Sequence, residues 1–102
     1  MGGLRRRAAV LVVALLSACG PAPLVVQGTV IGVDDAAETV TVRDELAPSR
    51  ELVISLQGAE VGSPPEVGDL VRIAYRDEAG RAAALRLMNL TRQEELARGH
   101  RR

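Results

Sequence analysis

The chain has 102 residues, 13 arginines and no lysine against 13 acidic residues, one histidine, one cysteine and one aromatic residue, Tyr75. That length holds one domain, and the balanced charge excludes the strongly basic footprint of a general nucleic-acid binder. A single cysteine excludes an internal disulfide, and a single aromatic excludes a multi-ring stacking platform.

In chain order, Arg5-Arg6-Arg7 comes first and the apolar run Ala8–Leu16 follows. A basic n-region before an apolar stretch of roughly 7–15 residues is a secretory signal. A permanent transmembrane helix needs about 20 apolar residues, so this run is too short for one. The run ends in Leu16-Ser17-Ala18-Cys19, with Gly20 next. This arrangement resembles the lipobox of bacterial lipoproteins. The resemblance implies a diacylglycerol thioether on Cys19, cleavage before it and acylation of the new amino terminus. Residues 1–18 are then a signal peptide and 19–24 a lipidated tether. The resemblance also implies a protein that faces the periplasm from the cell envelope. Absence of Asp at position 20 implies the outer membrane.

Removing residues 1–18 leaves 84 residues with 10 arginines against 13 carboxylates, a formal charge of −3. Residues 25–90 read as a β domain. Val25–Val33 is rich in β-branched residues and carries Gly28 and Gly32, positions where a strand bulges or coils. Asp34–Glu38 is a turn. Thr39–Arg43 alternates, with Val40 and Val42 on one face. Arg50–Leu56 is a third strand facing Leu52, Ile54 and Leu56 inward. Gln57–Gly68, punctuated by Gly58, Gly62, Pro64, Pro65 and Gly68, is irregular. Asp69–Arg76 is a fourth strand, with Val71, Ile73 and Tyr75 on the core face and Arg72 and Arg76 on the other. A turn over Asp77–Gly80 leads into a fifth strand, Arg81–Leu90. Its alanines also suit a helix, but hairpin pairing to residues 69–76 favours a strand. Residues 91–102 form a short helix and basic tail, with Thr91 and Glu94 at capping-box spacing and Gly99 at the stop. The expected fold is all-β: a small five-stranded OB-like barrel with a short C-terminal helix, closed so that no edge is left to aggregate.

Gly28-Thr29-Val30-Ile31-Gly32-Val33-Asp34, Thr39-Val40-Thr41-Val42 and Val67-Gly68-Asp69-Leu70-Val71 resemble small exported bacterial OB-fold barrels of unknown function. They are also similar to the periplasmic copper-binding subunit of heavy-metal efflux systems. The resemblance covers about residues 26–90. Those relatives hold copper with a histidine, methionines and a tryptophan in the barrel. Here there is no tryptophan, His100 lies in the tail and Met88 is the one methionine after the signal. Soft Cu(I) needs several soft ligands, so no metal site and no cofactor is carried over.

The other candidates have bland readings. Asp34, Asp35 and Glu38 lack the spacing of a calcium loop and read as a solvated turn. Tyr75 reads as core. Asp69 reads as a turn cap. With His100 in the tail there is no Ser–His–Asp set, and no catalytic residue is expected. Arg92, Arg98, Arg101 and Arg102 read as a solvated end more than a lipid contact. The function expected is a non-enzymatic lipid-anchored envelope protein that binds another envelope component. The alternative is a periplasmic small-ligand or metal carrier.

Overall fold

The computed structural model describes residues 22–100; the expected signal peptide, residues 1–18, and Cys19 lie outside them. Six strands and one helix follow in order: β1 (Leu24–Asp34), β2 (Thr39–Asp44), β3 (Glu51–Ser55), β4 (Glu60–Val61), β5 (Leu70–Glu78), β6 (Arg81–Asn89) and α1 (Leu90–His100). The sheet runs β3-β2-β1-β5-β6, and β3 pairs again with β6. That last pairing is parallel, Ile54 with Ala82 and Ser55 with Ala83, and it closes a five-stranded barrel. The two-residue β4 lies beside the far end of β6.

β1 belongs to both halves of the barrel. Its first half pairs with β5 and its second with β2, and Gly28 and Thr29 pair with both. Glycine is required at the crossing. A Cβ on Gly28 would stand 1.9 Å from the carbonyl oxygen of Arg43, and backbone cannot swing aside as a side chain can. A register shift between Val30 and Gly32 then bends the strand toward β2.

The core consists of aliphatic side chains plus one ring. Val30, Val42, Ile54, Val71 and Ile73 are fully buried, with Val26, Val40, Ala84, Leu87 and Tyr75 packed around them. Leu52 and Leu56 lie partly buried against this cluster, so β3 faces inward as its alternation predicts.

The structure departs from the sequence reading in four places. The irregular stretch 57–68 contains β4. The hairpin between β5 and β6 has a two-residue turn, Ala79-Gly80, with φ of 52° and 79°. Two positive φ values make the primed turn whose twist matches the flanking strands. In β6, Tyr75 pairs with Ala84 and Ala74 with Arg86, leaving Leu85 as a bulge. The inward frame moves from Ala84 to Leu87 and Asn89 across it. Finally, α1 starts at Leu90, its cap is Asn89 in place of Thr91, and it runs through Gly99 to His100. The alanines of β6 stay extended because β5 holds one side of the strand and β3 the other. Pairing overrides helix propensity there.

Candidate functional site

Asp69 and Asn89 are the buried polar residues among those described, 7% and 2% exposed. Asp69 enters β5 just after Gly68, whose φ of 97° turns the chain. Asn89 is the last residue of β6. The pairing of these strands brings the two side chains together.

The Asn89 Nδ2 donates to Asp69 Oδ2 at 2.9 Å and more weakly to the Pro64 carbonyl at 3.4 Å. The Glu66 N–H donates to the same carboxylate oxygen at 2.9 Å. Asn89 Oδ1 accepts the Arg92 N–H at 3.1 Å, the bond of an N-cap to the third helical residue. The Thr91 hydroxyl accepts the Leu70 N–H at 2.8 Å. Backbone bonds from Val30 to Asp69 and from Gly68 to Val30 tie the group to β1. Among the described residues no buried side-chain polar atom lacks a partner.

The Asn89 amide holds the Asp69 carboxyl below its ordinary value, helped by the Glu66 N–H and the Arg92 charge and opposed by burial. This latch joins helix, loop and two strands, and among the described residues none of its fully buried side-chain atoms lacks a partner. It fastens α1 to the barrel.

A cleft of about 280 Å³ lies at the β1–β2 end of the barrel. Leu56, Val61, Pro64 and Pro65 line it, and Asp34, Asp35 and Glu38 stand around it. The Asp34 Oδ1 accepts the Ala37 N–H at 3.0 Å, so that carboxylate closes its own turn. Among the described residues no group of three or more His, Cys, Asp or Glu is placed to hold a metal.

The remaining sequence candidates are dispersed. Tyr75 is 6% exposed and sits in the core. Met88 is half-buried on β6. Of the tail arginines, Arg92 pairs with Glu66 and Glu95, and Arg98 with Glu94. Those pairs leave that stretch of helix nearly neutral. Asn89 was not singled out by sequence. The available signal was an Asn at a strand end, three residues before a helical position, which is N-cap chemistry.

No protein-family model matches the chain, and no curated protein sequence matches it. Solved structures do. A Cu(II)-bound variant of CusF from Escherichia coli superposes with a TM-score of 0.55 at 16% identity, covering 69% of this chain and 94% of that one. An Ag(I)-bound CusF gives 0.55 at 16% identity, with 68% and 99% covered. Metal-free CusF from Escherichia coli gives 0.50 at 17% identity, with 66% and 88% covered. At this identity the likeness establishes the fold: a closed five-stranded OB-like barrel with a short C-terminal helix.

Proposed function

We propose that this chain is a lipid-anchored, non-enzymatic binding module of the bacterial envelope, facing the periplasm from the outer membrane. Leu16-Ser17-Ala18-Cys19 and the basic and apolar stretches before it support the anchor. One observation carries the binding role over a catalytic one. The domain's buried polar groups, Asp69 and Asn89, are spent on each other and on the helix cap. A catalytic group is ordinarily poised in a cleft with a perturbed pKa that aids its task. Here the lowered Asp69 carboxyl is sealed into structure, and what the barrel offers outside is surface. A tethered rigid barrel of this kind serves as an adaptor for another envelope protein.

In-cell crosslinking followed by mass spectrometry tests this, with Cys19→Ala as the unanchored control. The expected result is one dominant envelope partner that disappears in the control. A barrel that crosslinks to nothing in either form contradicts the reading.

A second reading, a periplasmic metal carrier, is favoured by a specific finding: the fold neighbours are CusF structures holding Cu(II) or Ag(I). It predicts a rise in Tm with Cu(I) or Ag(I), because a ligand that binds only the folded state stabilises it. The single Met88 and the dispersed carboxylates weigh against it, and an unchanged Tm across a metal panel removes it.

A further inference from the structure

The outer face of β1–β5–β6 carries an uneven share of the charge. Between residues 22 and 100 there are eight arginines and 13 carboxylates, yet four of those arginines lie on this one face. The register builds it row by row. Arg76 stands beside Ala83, then Val25, Ala74 and Arg86 share a row, then Gln27, Arg72 and Met88. Arg81 extends it toward the hairpin, across from Glu78.

Elsewhere the domain neutralises its arginines. Arg43 pairs with Glu51, Arg50 with Asp44, Arg92 with Glu66 and Arg98 with Glu94. Among the described residues no ion pair involves Arg72, Arg76, Arg81 or Arg86. Arg72 instead bonds the neutral Gln27 Oε1 at 2.7 and 3.0 Å. The carboxylates nearest the face stand at its borders: Glu60, beside Arg86 on β4, Glu78 at the hairpin, and Glu45, whose Oε2 accepts the Gln27 Nε2 at 2.8 Å. Between the arginines lies a small apolar floor of Val25, Ala74 and Met88, with Val25 62% exposed.

The chain also enters the domain here. Leu24, 52% exposed, starts β1 at the edge of this face, and Cys19 precedes it by five residues. Five residues reach at most roughly 17 Å. An acyl chain on Cys19 therefore holds this end of the barrel within about two Debye lengths of the lipid surface at physiological salt.

We propose that the β1–β5–β6 face, through Arg72, Arg76 and Arg86, lies on anionic lipid headgroups of the membrane that anchors the chain. This rests on the lipid-anchor reading above. The face orients the domain and leaves the β2–β3 side and the acidic cleft turned toward the periplasm. The arginines are unpaired because phosphate groups are their partners, and Arg suits phosphate as a planar fork of donors.

The test uses mature acylated protein in vesicles. Once Cys19 is thioether-linked, an introduced cysteine is the sole reactive thiol. Val25→Cys places it on the face. Val53→Cys, at a position of matched 61% exposure on β3, places it away from the face. A water-soluble maleimide should label residue 25 roughly tenfold more slowly in phosphatidylglycerol vesicles than in phosphatidylcholine vesicles, each basic residue near such a surface being attracted to it. Residue 53 should label equally in both. Raising salt, or replacing Arg72, Arg76 and Arg86 with Ser, should abolish the protection while Tm stays unchanged. Equal labelling at residue 25 in the two vesicle types, with acylation of Cys19 confirmed by mass, overturns the proposal and leaves the anchor standing. Protection at residue 25 that survives the triple replacement overturns it in favour of a cover that does not need the arginines, such as a second copy of the chain. An unacylated Cys19 overturns both readings together.

Discussion

The latch at Asp69 and Asn89 and the outer face of β1–β5–β6 spend polar groups in opposite ways. In the latch, one carboxylate, one amide, one hydroxyl and a helix N-terminus satisfy one another away from water. Among the described residues, the arginines of the face stand in solvent without an ion pair, while the other arginines are paired. The contrast separates what holds this domain together from what it offers to its surroundings. Buried polar groups are costly unless satisfied, so the latch concerns stability. Exposed charges add little to stability, so their arrangement is free to serve an encounter.

Four variants test that division. Asn89→Ala should cost the most, about 2–4 kcal/mol, because it leaves the Asp69 carboxylate short of a donor and removes the helix cap. Thermal denaturation measures this, and a loss below about 1 kcal/mol denies the latch its role. Gly28→Ala should cost about 1–3 kcal/mol, since the new Cβ meets the Arg43 carbonyl and forces β1 and β2 apart. Chemical denaturation of the pair shows whether the barrel loosens.

Asp69→Asn should act through pH. The folded-state value of Asp69 lies below its ordinary 3.8. Its contribution is therefore complete above that ordinary value and fades as pH falls through the lowered one. The variant should lose Tm at neutral pH and lose less than the parent on acidification from neutral pH to about pH 3. An unchanged acid slope contradicts the latch as a charged element. The smallest effect belongs to Arg72, Arg76 and Arg86 replaced together with Ser. Stability should stay within about 0.5 kcal/mol. A larger drop in Tm moves these arginines from surface to scaffold.

The strands were legible where period-2 alternation was clean. Val40 and Val42, or Val71, Ile73 and Tyr75, declare a face through hydrophobicity alone, and the structure buries all five. The bulge at Leu85 was not legible. One extra residue flips a strand's faces, and only the partner strand shows where it sits. β4 escaped notice because two residues among prolines and glycines carry no periodicity. Thr91 with Glu94 matched a capping box, but Asn89 reaches the cap first because β6 delivers it there against Asp69. The basic face was half legible: Arg72 and Arg76 fall on the outward side of β5 by alternation. Arg86 joins them only through the bulge-shifted register, and Val25 only through the β1–β5 pairing.

The most direct test of the account is the intact mass of the protein recovered from the membrane fraction of its host. The expected product is a chain beginning at Cys19 and carrying a diacylglyceryl group and an amide-linked acyl chain. A soluble chain with a free Cys19 thiol, or one cut elsewhere, contradicts it.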